Sequence, residues 1–271
     1  MSVVWAIMLA LGLWWLTTIL MLWRLRLPRK TFARTFLLTS ATCGVATAGF
    51  WLTLDSQDVF SAYVGFAAGL AFWCWHEATY FLGYLTGPRP ESCPDHVGTV
   101  GRFGYGVGAS LYHELALIVT AVLLLWLSAD AANPLAAVTF CVLWIMRWSS
   151  KINIFFGVRN LHLEFWPQHL QYLGSYVGAS ATNRFYPVSI VLAVGLGVWA
   201  VNSLTFVLAP GYTQVAITLT LTMLALACLE HLFLLVRVPD QMLWRWGLIP
   251  MVEGERASAR AALVNHHRTD H

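Results

Sequence analysis

The sequence predicts an all-α protein, a polytopic membrane helix bundle of about seven transmembrane helices with a further helical segment at the cytoplasmic membrane interface. Composition is the first reason. Of the 271 residues, 58% are hydrophobic and 11% are charged, whereas about 25% is usual for the charged share of soluble domains. The mean hydropathy of +0.65 agrees with this. A soluble enzyme, a disordered regulator and a fibrous protein are therefore excluded.

Seven apolar segments account for the predicted helices. An α-helix of about 20 apolar residues crosses the hydrocarbon core of a bilayer, which is about 30 Å thick. The segments are 3–23, 35–54, 59–85, 103–129, 131–146, 185–211 and 212–236. The fifth is short, and it spans only if Arg147 at its end extends its long side chain to the interface. Pro210 and Gly211 mark the turn between the sixth and seventh segments.

The positions of the basic residues predict the orientation. All 16 Lys and Arg residues follow the first, third, fifth or seventh segment, and so fall on one side of the bundle. The other side carries only Asp55, Asp58 and Asp130 as charged residues. By the positive-inside rule, the basic side is cytoplasmic and the N-terminus is periplasmic. The net charge of +3 is too small to indicate nucleic acid as a partner.

A single transmembrane domain is expected to cover residues 1–250. Within it, residues 86–102 form a proline-rich cytoplasmic loop, and residues 147–184 form the interfacial segment, helical in pieces and broken near Pro167. Residues 251–271 are expected to be a disordered cytoplasmic tail. The five cysteines have no CxxC spacing, which argues against a zinc ribbon or a disulfide framework.

Three glutamate–histidine pairs lie inside predicted spans, where ionisable residues are rare and commonly functional. They are His76-Glu77, His113-Glu114 and Glu230-His231. At 1.5 Å per residue, all three pairs are expected roughly 10–17 Å from the cytoplasmic face. The interfacial segment adds Glu164 and His169 below them. A bundle would therefore bring four glutamates and four histidines toward one pocket.

This set of side chains matches the ligands of a di-iron or di-manganese carboxylate site. Two Fe ions, or Mn or Zn, would neutralise the buried carboxylates, and redox-active metals would allow O₂-dependent oxidation of a lipophilic substrate. The candidate metal ligands are His76, Glu77, His113, Glu114, Glu164, His169, Glu230 and His231. Two features weaken the match: adjacent residues of a helix point about 100° apart, and Pro167 lies between Glu164 and His169, so their geometry is not predictable.

Two other interpretations of the same residues are open. The glutamates and histidines could form a structural network in which they hydrogen-bond one another between helices. Alternatively, one or two histidines could be axial ligands of haem or of the magnesium in a chlorophyll-type pigment. A proton pathway is disfavoured, since the outer halves of the third, fourth and seventh segments hold no ionisable group.

Four stretches of sequence carry a family resemblance: WCWHEATYFLGYLTGPR (73–89), LYHELALI (111–118), KINIFFGVRNLHLEFWPQHLQYLGSYV (151–177) and ALACLEHLFLLV (225–236). Together they resemble the photosynthetic complex assembly protein 2 (PuhE) family of purple phototrophic bacteria. The resemblance implies a protein of the bacterial inner (intracytoplasmic) membrane. Its implied role is assembly of the reaction centre and light-harvesting complex, or bacteriochlorophyll supply to that complex.

The same resemblance implies the partners: reaction-centre or light-harvesting subunits, pigment-synthesis enzymes and membrane lipids. It leaves the molecular activity open. The protein could be a membrane di-iron oxidase or oxygenase that acts on a pigment-pathway substrate. It could instead be a non-catalytic chaperone, or a protein that binds bacteriochlorophyll or haem.

Overall fold

The computed structural model describes residues 2–161, 166–178, 180–181, 183–205 and 210–235. Within these ranges the chain is helical and contains no β-strand. The α-helices are α1 (Ser2–Leu25), α2 (Phe32–Thr53), α3 (Val59–Phe81), α4 (Thr99–Leu127), α5 (Leu135–Phe156), α6 (Tyr186–Thr205) and α7 (Pro210–Leu235). A 3₁₀ helix, Gln168–Tyr176, lies between α5 and α6. The predicted tail, 251–271, lies outside the described residues.

Six of these helices, all except α6, are long and apolar enough to cross a membrane. The apolar part of α6, Tyr186–Asn202, is shorter. Large apolar side chains are exposed along the outer helices, among them Trp5, Leu52 and Val119. An exposed apolar surface of this extent is stable in lipid and not in water. The chain is therefore a multi-pass membrane protein in contact with lipid, and the predicted all-α membrane bundle is confirmed.

The interior of the bundle is built around α3, α5 and α7. One apolar cluster joins these helices through residues such as Phe66, Leu135 and Leu219. A second cluster, which includes Leu117 and Phe140, packs α2 and α4 on the other side of α3 and α5. These contacts bring the ionisable residues of α3, α4 and α5 to the same part of the interior.

Asn133 links several helices by hydrogen bonds at the end of the bundle opposite the basic loops. Its amide donates hydrogen bonds to the carbonyl oxygens of Ser61 (2.8 Å) and Thr53 (3.2 Å), and its Oδ1 accepts one from the Tyr212 hydroxyl (2.7 Å). Asp58 and Ser61 form a capping box at the start of α3. The ends of α2, α3, α5 and α7 are thus held together by buried polar contacts.

The fifth span differs from its prediction. Residues 147–156, expected in the interfacial segment, continue α5 as far as Phe156. Arg147 does not end a short span by extending to the interface, because its guanidinium pairs with Glu77 of α3. That pairing compensates the charge inside the bundle, so the helix can continue past it. The interfacial segment therefore begins after Phe156.

Two other predicted boundaries are closer to those in the structure than the predicted end of the fifth span is. The 3₁₀ helix Gln168–Tyr176 begins directly after Pro167, where the predicted break lies. Because α3 ends at Phe81 and α4 begins at Thr99, the loop between them is 82–98 and not 86–102.

Candidate functional site

Two ion pairs, each with a largely buried carboxylate and a half-buried cation, join α3, α4 and α5. The Nη2 atom of Arg147 on α5 lies 3.2 Å from Oε2 of Glu77 on α3. One turn further along α5, the Lys151 ammonium donates a hydrogen bond to Oε1 of Glu114 on α4. The Glu77 and Glu114 side chains are only 15% and 7% exposed. Each carboxylate therefore has its own cation, as a buried charge requires.

His113 lies between the two ion pairs. Its ring is fully buried and packs against the Tyr80 ring, with 4.5 Å between the ring centroids. Its Nε2 atom lies 3.6 Å from Oε1 of Glu77. The Lys151 ammonium lies 5.3 Å from the Tyr80 ring centroid, within cation–π range. We call Glu77, His113, Glu114, Arg147 and Lys151 the ion-pair cluster.

The loop between α3 and α4 positions His113. The carbonyl oxygen of Thr86 accepts the backbone N–H of His113 at 3.0 Å, so the loop folds back onto α4 at this residue. Gly87 makes the close approach possible, because a β-carbon there would lie 2.2 Å from the Gly108 carbonyl oxygen. Gly83 begins the turn with a φ of 82°, which glycine adopts without strain.

The Glu–His pair of α7 makes its hydrogen bonds outside the ion-pair cluster, although the Glu230 carboxylate is within electrostatic range of Arg147. The His231 ring is buried, and both of its nitrogens have partners: Nδ1 lies 2.8 Å from the Ala227 carbonyl oxygen, and Nε2 lies 2.9 Å from the Ser149 hydroxyl. Glu230 is exposed on the bundle surface, where its Oε1 accepts a hydrogen bond from Trp14 Nε1 at 3.1 Å. These two residues act as helix contacts between α7 and its neighbours.

His169 lies in the 3₁₀ helix, apart from the ion-pair cluster. Its Nε2 donates a hydrogen bond to the Phe81 carbonyl oxygen at 3.0 Å, which attaches the 3₁₀ helix to the end of α3. Burial, and then the nearby Arg29 cation, hold the pKa of His169 below its usual value. His76 lies within α3, and its Nε2 is 2.9 Å from the Thr120 hydroxyl of α4. Glu164 lies outside the described residues.

The described residues do not assemble the predicted dimetal site. Among them, no group of three or more His, Cys, Asp or Glu side chains is placed to hold a metal ion. Glu77 and Glu114 are already neutralised by cations, and both nitrogens of His231 are engaged. The part that Glu164 was predicted to take stays a prediction. A polar network between helices is the nearest of the open interpretations, but its carboxylates pair with the cations Arg147 and Lys151, which that interpretation did not include.

Sequence reasoning missed the cations of this network. Lys151 falls within residues 147–184, which were predicted as the interfacial segment and not as part of a span. The spacing carried a usable signal, because Arg147 and Lys151 are four residues apart and so share one face of a helix. Two acidic residues in neighbouring spans need compensating charges inside the bilayer. They therefore indicate two basic residues on a third helix at the same depth.

The fold and the cluster define a multi-pass membrane protein with a charge-balanced polar site inside a helix bundle. The family described as "Protein of unknown function (DUF3623)" matches residues 1–254, and the chain belongs to this family. A protein of Rhodobacter capsulatus described as "Uncharacterized 30.4 kDa protein in puhA 5'region" is 32% identical over 249 residues. The match covers 89% of this chain and 88% of that protein. No solved structure matches the chain.

Proposed function

We propose that this protein is a non-catalytic membrane factor for assembly of the photosynthetic reaction centre and light-harvesting complex, or for bacteriochlorophyll supply to it. Two observations support the biological setting. The relative from Rhodobacter capsulatus is described by its place in the 5' region of puhA. The four stretches quoted above resemble the PuhE family. The orientation that we propose has the basic loops in the cytoplasm and the N-terminus in the periplasm, by the positive-inside rule.

The pairing of each buried carboxylate with its own cation supports a structural role for the cluster. One oxygen of each carboxylate contacts a cation, Oε2 of Glu77 at Arg147 and Oε1 of Glu114 at Lys151, which lowers its basicity. The second oxygen of each is buried with no hydrogen-bond partner among the described residues. Buried ion pairs add little net stability over apolar side chains, but they specify which surfaces meet. The cluster therefore serves to set how α3, α4 and α5 pack.

Complementation tests this proposal. Deletion of the relative in Rhodobacter capsulatus is expected to lower the absorbance of assembled complexes in the membrane, and expression of this chain to restore it. A double variant, Glu114→Met with Lys151→Met, removes one ion pair and leaves no unpaired charge. It is expected to complement as well as the natural chain. Failure of this variant at normal protein level and with an unchanged Tm would show that the pair has a role beyond packing and would contradict the proposal.

Metal content is a second, independent test. The detergent-purified protein, free of any His-tag and of residues 251–271, is expected to contain no stoichiometric Fe, Mn or Zn by elemental analysis. Removal of the tail matters because His266, His267 and His271 could bind metal adventitiously. About two metal ions per chain would instead support a dimetal site and an oxidase-like enzyme.

A further inference from the structure

Glu230 on α7 is a carboxylate that is both inside a span and exposed on the surface of the bundle. It belongs to the apolar stretch Gly211–Leu234, which is long enough to cross a membrane. Its Oε1 accepts a hydrogen bond from Trp14 Nε1 at 3.1 Å, and its Oε2 has no hydrogen-bond partner among the described residues. An exposed carboxylate inside a bilayer is unfavourable unless a cation or a proton compensates it.

The charges within the described spans do not balance. More than one turn from a helix end, these spans carry three glutamates, Glu77, Glu114 and Glu230, and two basic residues, Arg147 and Lys151. The two basic residues already contact Glu77 and Glu114. Arg147 is within electrostatic range of Glu230, but it makes its ion pair with Glu77. One negative charge is therefore in excess, and it lies at Glu230.

The bundle surface is open at Glu230. Positions four, seven and eleven residues earlier lie on the same face of α7, and they hold the buried side chains of Leu226, Met223 and Leu219. Neighbouring helices thus cover this face along most of its length, and the cover ends at Glu230. The adjacent Leu229 is exposed and apolar, as a surface in contact with lipid or with another transmembrane helix requires.

The depth of Glu230 in the membrane limits what can reach it. Trp14, which holds its carboxylate, lies at the middle of α1, twelve residues after Ser2 and eleven before Leu25. At 1.5 Å per residue, the indole is about 16 Å from either end of this helix. The hydrocarbon core is about 30 Å thick, so the carboxylate lies near its centre and far from the lipid headgroups. A compensating cation must therefore come from a side chain inside the bilayer.

We propose that the surface of α1 and α7 around Glu230 binds a transmembrane helix of a partner protein, and that a lysine or arginine of this helix pairs with the Glu230 carboxylate at the depth of Trp14. Charge decides the kind of partner, because the described spans lack one cation. A second copy of the chain does not supply it from these spans, since Arg147 and Lys151 are engaged. The inference names a partner class for the proposed assembly role and rests on that role for its biological setting.

The test is photo-cross-linking of the full chain in phosphatidylcholine nanodiscs to a synthetic leucine–alanine helix of about 20 residues with one central lysine. A diazirine-bearing leucine beside the lysine forms the cross-link, and the peptide without diazirine competes. The central position serves either orientation of the peptide. Labels are expected on chain peptides that contain Trp14 or Glu230. A peptide with methionine in place of lysine should bind about tenfold more weakly, since it makes no charge-assisted hydrogen bond.

Two variants complete the test. Glu230→Gln keeps an acceptor for Trp14 and removes the charge, so it should bind the lysine peptide about tenfold more weakly at an unchanged Tm. Glu91→Gln is the matched control, because it removes a carboxylate that is 70% exposed outside the spans, and its affinity should not change.

Equal affinity of the lysine and methionine peptides would overturn the proposal and indicate that Glu230 is protonated. Equal affinity of Glu230→Gln and the natural chain would overturn the location of the site. The nanodiscs hold no photosynthetic complex, so either failure is distinct from failure of the assembly role, which complementation measures.

Discussion

Replacement of Lys151 by methionine is expected to destabilise the bundle strongly. Methionine has nearly the same length as lysine, so the change removes the ammonium group and leaves the packing of the side chain largely intact. The Glu114 carboxylate, 7% exposed in the natural protein, then loses its cation. Its hydrogen bond from Nζ of Lys151 disappears in the same step.

The expected loss follows from the burial of Glu114. Removal of one partner from a buried ion pair typically costs 3–5 kcal/mol, and a carboxylate at a helix centre in the bilayer costs about 3 kcal/mol on insertion scales. A loss of about 3 kcal/mol corresponds to a fall in Tm of roughly 6–12 °C for a protein of this size class. Removal of both charges, in Glu114→Met with Lys151→Met, should recover most of this loss.

Thermal unfolding in detergent, followed by circular dichroism, measures the effect. Arg159→Met is the matched control, because it removes the same charge at an exposed residue near the end of α5. Its Tm should change little, since exposed substitutions usually alter stability by less than about 0.5 kcal/mol. The reasoning is refuted if Lys151→Met unfolds at the same temperature as Arg159→Met, or if the double variant is less stable than the single one.

Three further predictions concern other parts of the fold. Asn133→Ala should lower Tm in the same assay, because each of the buried groups that it leaves without a partner costs about 1–3 kcal/mol; an unchanged Tm would show that water replaces the amide. Gly69→Ala should cost about 1–3 kcal/mol, since the new β-carbon would lie 2.5 Å from the Ala136 carbonyl oxygen, and a stable variant would show that α3 and α5 separate easily. The low pKa of folded His169 means that the unfolded chain binds the proton more readily, so stability from this residue is lost as pH falls below about 6.5. Between about pH 7.5 and pH 5.5, the natural chain should therefore lose more stability than His169→Gln, which keeps a donor for Phe81 and does not titrate; equal losses would contradict this assignment.

The membrane class and most helices could be predicted from composition and apolar runs. The lipid-facing side chains of α1, α2 and α4 are apolar because apolar groups transfer favourably from water into the bilayer. These helices therefore appear in the sequence as long apolar runs. The end of α5 could not be predicted in the same way. A window that contains Arg147 and Lys151 appears polar, and only the partners on α3 and α4 make those charges acceptable inside the bundle.

The candidate site was predicted in part. Glu77, His113 and Glu114 do lie together, as their similar depth indicated. Depth alone does not state which face of a helix a residue occupies, and a helix rotates by about 100° per residue. Glu230 therefore lies on the outer surface beside Trp14 although its neighbour His231 is buried. Which face of α7 is buried depends on how α7 packs against its neighbours, and this cannot be read from the residue type at any one position.

The order of charges along the chain has a consequence for biosynthesis. Glu77 on α3 and Glu114 on α4 leave the ribosome before Arg147 and Lys151 on α5. Each basic residue would oppose insertion of an isolated α5 by about 3 kcal/mol at the helix centre. With α3 and α4 already in the bilayer, α5 meets its counter-ions on arrival and can enter paired. The chain order thus allows these charges to be compensated as they are made, because the acidic helices α3 and α4 precede the basic helix α5.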